Sequence, residues 1–573
     1  MLLFILLLVG LVAIAGRPQN PILPGFHPDP SCIFVSDWND TFFCASSSFN
    51  AFPGIPIHTS QDLQNWRLIG NALSRPEQLP NLTNAVGQTS GIWAPSLRYH
   101  ESESGDGEFF ILTTLVYDKM PITDTSRWDN LIFRTKNPYT HDAWSDPVHF
   151  IFDGYDTSPF WHQDGTVYVQ GAHPWEVRED PHIDQIKLNL DTGAATVQVP
   201  IWNGTGGLAP EGPHIHFKDG WFYLIIAEGT GLNHMETGAR SKSITGPFTP
   251  APHNPLLTNA NTTAFFQTVG HADLFQDKHG NWWGVALSTR SGPDYMAIPL
   301  MKLQGRETVL TNVTWAEGQF PEFQNVSGVI DGPILPLRPQ IRGDGPFITA
   351  PDNFDFAPGS SLPLHFAHWR IPDPAAYTIS PLGRENTLQL LPSVLNLTGL
   401  DENSAPTGQT FVGRRQVHSE FVFGVSMEYT PRQPGEEAGV SVFLTQNHHI
   451  DLGIVCLANE TSSCADSTVL RIRTTSSTAA SARPDTIIPL PIQPGATRLQ
   501  IRADNLTHYV FSYSQTEDGE GMRVAGYGLS ADVSWGFTGT ILGVYATGNG
   551  LNASTPAYIS RWEYEGVRQI TSE

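Results

Sequence analysis

One segment pattern recurs five times in the first half of the chain, and this repeat limits the possible folds more than any other feature. Each copy opens with a polar or proline-containing cluster, runs into a short apolar strand, turns at Asp, Gly or Asn, and continues as an aromatic-rich strand. The residues at equivalent positions of the five copies are Asp29, Trp93, Asp156, Glu211 and His271. Successive members of this set are 64, 63, 55 and 60 residues apart. A period near 60 residues predicts a five-bladed β-propeller with four-stranded blades.

The second half of the chain follows a different pattern. At 573 residues the chain is too long for one ordinary hydrophobic core, so two domains are expected. The repeat stops after a Pro- and Gly-rich stretch at 328–346, and from about Asp352 strand-like runs alternate between apolar and polar residues. This period of two predicts a β-sandwich. We therefore expect an all-β chain with a propeller at 17–340 and a sandwich at 341–573.

Charge and composition narrow the class of partner. The formal net charge of −24 argues against nucleic acid or an anionic membrane surface. Only 15% of residues are charged, whereas glycine (52) and proline (45) are plentiful, as in turn-rich β proteins. This balance suits a neutral substrate, and nothing in the sequence indicates an obligate protein partner.

Several features predict export. The apolar run Leu2 to Ala15 ends in an A-x-A pattern, which predicts a signal peptide at 1–16. The alternative, a membrane anchor, needs about 20 apolar residues, and this run is shorter. Ten N-x-[ST] sequons predict a secreted, extracellular glycoprotein. They begin at Asn39, Asn81, Asn203, Asn261, Asn312, Asn325, Asn396, Asn459, Asn505 and Asn552.

The four cysteines fall into two local pairs. Cys456 and Cys464 flank a short polar loop, as in a disulfide that closes a hairpin. Cys32 and Cys44 lie in adjacent apolar runs and come nearly opposite each other if the chain folds back between them. Both pairs are expected to be disulfides in an oxidising compartment. For Cys32 and Cys44 two buried free thiols are the alternative.

The propeller prediction brings distant polar residues together. The inner strand of each blade runs along the central channel, so equivalent residues should meet at one mouth of that channel. We then expect four residues to be neighbours in space: Asp29, Asp156, Glu211 and His271. The alternative is that the acidic residues only form turns. Two carboxylates, one protonated and one ionised, are the minimal machinery for glycoside hydrolysis. A third carboxylate beside these two raises the proton affinity of the carboxyl group next to it.

Seven motifs in order make the chain resemble glycoside hydrolase family 43, in the branch of β-xylosidases and α-L-arabinofuranosidases with a C-terminal sandwich. The motifs are NPILPGFHPDPS at 20–31, SSFNAFPGIPIHTSQDLQNW at 47–66, GIWAPSLRY at 91–99, DTSPFWHQDG at 156–165, EGPHIH at 211–216, ETGARSKSITGPF at 236–248 and GHADLF at 270–275. The resemblance implies a propeller followed by a concanavalin A-like sandwich. It also implies an inverting mechanism with Asp29 as general base, Glu211 as general acid and Asp156 as the residue that tunes the acid and orients the sugar.

The resemblance implies further site residues. Arg290 would touch sugar hydroxyls and a catalytic carboxylate, with a surface arginine as the alternative. The pocket would be lined by Phe49, Trp93 and Tyr155, although Phe49 also fits a place in the propeller core. Trp535 or Phe537, from the sandwich, would wall the pocket. No cofactor is required, but His271 would help to hold a structural calcium ion through water, unless it only hydrogen-bonds in the channel.

The sugar is the least determined feature. The segment between Arg290 and Gly305 is shorter than in related β-xylosidases, EGPHIH replaces their EGPHLY, and Tyr155 stands where they often have Phe. These differences favour an exo-acting α-L-arabinofuranosidase that acts on arabinoxylan side chains. A β-D-xylosidase acting on xylo-oligosaccharides, or an enzyme with both activities, is the alternative. A non-catalytic carbohydrate-binding protein is more remote, since Asp29, Asp156 and Glu211 are all present.

Overall fold

The computed structural model describes residues 17–102, 105–140, 142–173, 182–231, 233–292, 305–399, 408–458, 463–478, 483–490 and 495–572. The predicted signal peptide at 1–16 lies outside these residues. The described chain is almost entirely β-structure, with one short α-helix at Cys464–Ser467. Its 3-10 turns are Ser36–Trp38, Pro76–Gln78, Pro80–Asn84, Thr125–Arg127, Pro374–Ala376 and Ser530–Val533. No helix in the described ranges is long and apolar enough to cross a bilayer.

Five four-stranded antiparallel sheets form the first domain, which confirms the predicted propeller. Blade 1 contains β1 (Ser31–Val35), β2 (Thr41–Ala45), β4 (Gly54–Ser60) and β5 (Arg67–Leu73); β3 (Ala51–Phe52) leaves it. Blade 2 contains β6 (Gly91–Glu101), β7 (Gly107–Val116), β8 (Trp128–Thr135) and β9 (Val148–Phe150). Blade 3 contains β10 (Tyr155–Trp161), β11 (Val167–Ala172), β12 (Ile183–Lys187) and β13 (Val199–Trp202). Blade 4 contains β14 (Glu211–Lys218), β15 (Trp221–Glu228), β16 (Met235–Ser241) and β17 (Thr249–Pro250). Blade 5 contains β18 (Phe266–Gln276), β19 (Trp282–Arg290), β20 (Glu307–Thr314) and β21 (Glu322–Phe323).

The first strands of the five blades close into a ring around the axis. β1 contacts β6 and β18, and β10 and β14 complete the circle. The N-terminal segment closes the ring, because Leu23 bridges to Thr308 of blade 5 and the Asn20 side chain binds the backbone of Leu310. The segment just before blade 1 is therefore anchored on the last blade.

The second domain is a sandwich of two eight-stranded sheets, as predicted. One sheet contains β22 (Asp352–Phe354), β24 (Tyr377–Ile379), β25 (Leu388–Leu390), β27 (Glu420–Glu428), β32 (Thr497–Ala503), β33 (His508–Ser514), β34 (Arg523–Leu529) and β36 (Ala557–Arg568). The other contains β23 (Phe366–Trp369), β26 (Phe411–Arg415), β28 (Glu437–Thr445), β29 (His448–Cys456), β30 (Thr468–Ser476), β31 (Thr486–Pro489), β35 (Ile541–Thr547) and β3 of the propeller. Their facing sides bury a continuous apolar core.

Both predicted disulfides are present. Cys32 on β1 stands directly opposite Cys44 on β2, and the two sulfurs are bonded. Cys456 and Cys464 are bonded across a sequence separation of 8 residues. The alternative of two buried free thiols at Cys32 and Cys44 is therefore wrong.

The two domains share a polar interface as well as a sheet. Besides the pairing of β3 with β23, the buried Arg290 of blade 5 forms a two-pronged ion pair with Glu307, at 2.7 and 2.8 Å. The same guanidinium donates to Ser419 Oγ at 3.1 Å and to the carbonyl of Ile570 at 2.8 Å, both in the sandwich. Arg290 thus neutralises a buried carboxylate and ties the propeller to the sandwich.

We expect Arg290→Met to lower the free energy of unfolding by about 3–5 kcal/mol, because it leaves Glu307 buried without its cation. Thermal and urea unfolding measure the loss. Arg338→Met is the matched control: this arginine lies 3.8 Å from Asp40 at the surface, where an ion pair contributes about 0–1 kcal/mol. Equal stability of the two variants would contradict the structural role of Arg290.

Candidate active site

A left-handed backbone residue occurs in, or just before, the first strand of each of the five blades. The positive φ angles are 51° at Asp29, 25° at Ala94, 55° at Asp156, 58° at Gly212 and 53° at His271. In blades 2 to 5 the pairing with the second strand shifts register at this point. Such a bulge redirects the side chains beside it. The true equivalents in blades 2 and 4 are therefore Ala94 and Gly212, one residue after the predicted Trp93 and Glu211.

The kinked residues of the five strands line one space on the propeller axis. Asp29, Asp156 and His271 lie there, and the backbone N–H of Gly212 donates to Asp156 Oδ2 at 3.1 Å. Glu211 precedes Gly212, and its carboxyl interacts electrostatically with Asp29. The structure thus brings together the three carboxylates and the histidine that the repeat aligned.

Asp29 is held by groups from three other parts of the chain. Ser47 Oγ donates to Asp29 Oδ2 at 2.6 Å and accepts from the N–H of Ala94 at 2.7 Å. The other oxygen, Oδ1, lies 3.8 Å from Arg306 Nη1 and 3.9 Å from His271 Nδ1. The side chain is 8% exposed, so these contacts hold it in place at the mouth of the channel.

Burial favours the protonated form of Glu211. Burial raises the pKa of Glu211 to about 7, opposed by the charge of Arg306 and reinforced by that of Asp29. The Tyr155 hydroxyl lies 3.4 Å from Oε2 and lowers this pKa by donating to the carboxylate. The pKa of Asp156 is raised well above its usual value by burial, and next by Glu211 and Asp29. The cluster therefore retains protons near neutral pH.

His234 faces the second oxygen of Glu211. Burial lowers the pKa of His234 to about 3, so the ring is neutral at the pH at which Glu211 titrates. Its Nδ1 lies 2.9 Å from the carbonyl of Thr268, which assigns the ring proton to Nδ1. The unprotonated Nε2 then lies 3.9 Å from Glu211 Oε1. This arrangement accommodates a proton on Oε1 and leaves Oε2 to accept from Tyr155.

Aromatic rings form one side of the pocket. Trp93 lies edge-on to Tyr155 at 5.6 Å and to Phe537 at 6.3 Å, measured between ring centroids. Phe537 comes from the sandwich, is 37% exposed and stacks on Phe49 at 6.2 Å. Phe49 itself is only 2% exposed, so it packs beneath Phe537 and is not a surface of the pocket. This agrees with the alternative from the sequence analysis, in which Phe49 belongs to the core.

Trp535 does not reach the pocket. Its ring stacks on His448 at 5.2 Å and packs against the core of the sandwich. Of the two aromatic residues that the sequence proposed as a wall, the structure therefore selects Phe537. The intervening Gly536, at a φ of 69°, turns the chain between them.

The predicted role of Arg290 is wrong, because its guanidinium is occupied by Glu307 and the sandwich. The arginine beside the carboxylates is Arg306, which sequence reasoning missed. Arg306 lies 3.8 Å from Asp29 and 4.4 Å from the centroid of the Phe537 ring. Arg306 is the second residue of the motif GRETVL at 305–310. The sequence analysis used this motif only to mark the end of the segment that follows Arg290.

The carboxylates Asp29 and Asp273 near His271 do not provide a complete set of direct calcium ligands, and calcium binding through water stays a prediction. Calcium prefers six to eight oxygen ligands. The carboxylate beside His271 is Asp29, and the next one along the strand, Asp273, is occupied: Arg98 donates to Oδ2 at 2.7 Å and to Oδ1 at 3.2 Å, and Ser31 donates to Oδ2 at 2.6 Å. A fixed guanidinium thus already supplies the positive charge in the deeper channel.

A second group of potential metal ligands lies on blade 3. His173, His182 and Asp184 bring their ligand atoms within 4.8 Å of one another. The two imidazole rings stack 4.6 Å apart at an interplanar angle of 6°, so an ion in the plane of one ring lies outside the plane of the other. Asp184 accepts from Gln198 at 2.6 Å and lies 3.2 Å from His182 and 3.5 Å from His173, so this carboxylate already has partners within the protein.

Comparison with known proteins agrees with this geometry. Residues 18–321 match the model of glycosyl hydrolases family 43, and residues 352–565 match the beta xylosidase C-terminal concanavalin A-like domain. The chain is 31% identical to a non-reducing end alpha-L-arabinofuranosidase of Bacteroides ovatus over 96% of both chains. It is also 31% identical to a beta-xylosidase of Bacillus subtilis, over 75% of this chain and 77% of the relative.

A solved structure named Bacteroides ovatus xyloglucan PUL GH43B superposes with a TM-score of 0.81 at 31% identity, covering 96% of this chain and all of that one. The propeller, the sandwich and the carboxylate cluster therefore have one explanation: the chain belongs to glycosyl hydrolases family 43 and is a glycoside hydrolase.

Proposed function

We propose that the protein is an exo-acting, inverting α-L-arabinofuranosidase that releases arabinose from arabinoxylan side chains. The observation that carries the chemistry is the meeting of two carboxyl groups in different surroundings: Glu211, with its pKa raised to about 7, lies near Asp29, which accepts a hydrogen bond from Ser47 at 2.6 Å. A general acid must be protonated while the base beside it is not. Glu211 and Asp29 are suited to these two roles.

The proposed step is a single displacement at the anomeric carbon. Asp29 accepts a proton from a water molecule as the water oxygen bonds to that carbon. The bond from the carbon to the glycosidic oxygen breaks, and Glu211 gives its proton to the departing oxygen. Asp156, buried beside Glu211 with its own pKa raised by burial and by the charges of Glu211 and Asp29, is the residue proposed to orient the sugar. Arg306 lies close enough to both catalytic carboxyl groups to balance their charge.

Three observations support arabinose as the sugar. The Bacteroides ovatus relative, aligned over 96% of both chains, is named as an arabinofuranosidase. EGPHIH and Tyr155 depart from the common β-xylosidase pattern, and Tyr155 lies at the acid. The third, the short segment after Arg290, falls on 293–304 and lies outside the described residues. β-D-Xylosidase activity is the second candidate, favoured by the Bacillus subtilis relative.

We also propose that the protein is secreted and glycosylated. Two disulfides are typical of an oxidising compartment. Of the predicted sequons, Asn312 and Asn396 are half-buried and Asn459 lies outside the described residues, whereas the other seven asparagines are exposed. Enzymatic removal of N-glycans should lower the mass of protein collected from the culture medium. Protein found only inside cells, with unchanged mass, would contradict export.

Product analysis tests the proposed sugar. Arabinoxylan, arabinosylated xyloglucan and xylobiose are each incubated with the enzyme, and released pentoses are identified by chromatography. We expect arabinose from arabinoxylan and little xylose from xylobiose, with the inverted anomer appearing first by NMR. Arabinose from xyloglucan alone would move the substrate to that polymer. Xylose as the main product would establish the β-xylosidase alternative.

Variants of the two catalytic residues are the controls. Asp29→Asn and Glu211→Gln should each lower kcat by at least about 10²-fold, since general acid–base catalysis contributes about 10²–10⁴-fold. Both should remain folded by circular dichroism. Turnover close to wild type in either folded variant would remove that residue from the mechanism.

The pH profile tests the environment of the acid. Activity requires protonated Glu211, so kcat/KM should fall as the pH rises through about 7. Tyr155→Phe removes a donor that favours the ionised form, so the pKa of Glu211 should rise and the alkaline limb should move up by about 0.5–1 pH unit. Tyr99→Phe, in a partly buried position of blade 2, should leave the limb in place. An unchanged limb, or a shift to lower pH, in Tyr155→Phe would refute this coupling.

The contribution of the sandwich is tested at Phe537. Phe537→Ala removes the ring that packs on Trp93 and Arg306, and we expect KM to rise about tenfold as about 1.4 kcal/mol of contact energy is lost. Trp535→Ala, on the same loop but turned into the sandwich, should leave KM near the wild-type value. A larger KM effect from Trp535 than from Phe537 would reverse the assignment.

A further inference from the structure

A cavity of about 30 Å³ lies at the seam between the two domains, and its polar lining is almost entirely basic. We call it the seam cavity. His27 and His58 line it from the propeller, and His365, Arg414 and Arg415 line it from the sandwich. A space of this size accommodates one or two water-sized particles.

The carboxylate nearest to this lining is already occupied. Asp352 accepts from Arg414 Nη1 at 2.8 Å and lies 3.0 Å from His365 Nε2. It also accepts from the indole N–H of Trp562 at 3.1 Å. The negative charge of Asp352 therefore balances Arg414 and does not balance a second guanidinium.

Arg415 is that second guanidinium. It is 8% exposed, and Nε donates to the carbonyl of Phe26 at 3.1 Å. Its Nη2 is buried without a hydrogen-bond partner, and in the described part of the chain Arg415 forms no ion pair. Burial lowers the pKa of Arg415 to about 10, so it remains charged at neutral pH. The guanidinium lies 5.3 Å from the centroid of the Phe26 ring, but a buried charge without an ion-pair partner is still unfavourable.

A second unused donor faces the same space. His58 is 2% exposed, and its Nδ1 has no hydrogen-bond partner. Arg415 acts electrostatically on both His58 and His27, so these groups are close together. Buried polar groups are almost always satisfied by a partner. A partner that accepts hydrogen bonds and carries negative charge would satisfy both groups and balance Arg415.

We propose that the seam cavity binds one small monovalent anion of chloride size, held by Arg415 of the sandwich and His58 of the propeller. The volume excludes sugar acids and phosphate esters, whereas a halide supplies the missing charge and accepts from both donors. The ion would join the two domains directly behind the N-terminal segment, because His27 in the lining stands two residues before Asp29. The proposal is independent of which sugar the enzyme releases.

Thermal unfolding in different sodium salts tests the proposal. At equal ionic strength, the wild-type Tm should be at least about 2 °C higher in chloride or bromide than in gluconate, which is too large for the cavity, and the gain should saturate with concentration. Arg415→Met should abolish this difference while its Tm in gluconate is no lower than that of wild type, because an unpaired buried charge has been removed. His58→Gln should reduce the difference.

Arg498→Met is the matched control, since Arg498 is also buried but is ion-paired with Glu563. It should lower Tm in both salts and keep the halide difference. Crystals of the wild type grown in bromide should show one anomalous peak between Arg415 Nη2 and His58 Nδ1. Identical Tm values in all salts, a halide difference that persists in Arg415→Met, or a bromide crystal without that peak would each overturn the proposal.

Discussion

The active site depends on one backbone constraint, a left-handed residue in or just before the first strand of each blade. For a non-glycine residue this conformation costs about 1–3 kcal/mol, yet Asp29, Ala94, Asp156 and His271 all adopt it. The cost is tolerated because the surrounding ring of blades fixes the strand ends. Its consequence is that side chains from separate blades turn to the same axial space instead of into the packed sheets. Without the kinks, the three carboxylates would not lie within electrostatic reach of one another.

The cations that pair with carboxylates in the channel lie at two depths. Arg98 and its ion pair with Asp273 fill the deeper channel, whereas Arg306 lies beside Asp29 at the mouth. In this deep ion pair, the positive charge of Arg98 balances the negative charge of Asp273. Arg306 acts on the carboxyl groups that do chemistry, and it partly offsets the burial that raises the pKa of Glu211. The pocket can therefore hold a protonated acid and still keep a cation near the base.

Sequence repeats and motifs were sufficient for the fold, both disulfides and the meeting of Asp29, Asp156 and Glu211, because these follow from periodicity and from local spacing. They were insufficient wherever a side chain had two possible neighbours. Arg290 and Arg306 both border the same segment of blade 5, and only the positions of Glu307 and Ser419 show that Arg290 faces the sandwich. The one-residue offset at Glu211 was also hidden, because a bulge leaves no signal in a hydrophobic pattern.

The sandwich is part of the site through its effect on Arg306. Gly305, at a φ of 86°, lies so close to the sandwich loop that a Cβ there would stand 2.0 Å from the carbonyl of Thr538. This contact places Phe537 over the guanidinium of the next residue, Arg306, at 4.4 Å. Because Arg306 lowers the pKa of Glu211, a ring from the second domain helps to set the protonation of the acid in the first. The two domains therefore form one catalytic unit, and their seam is a functional surface as well as a packing interface.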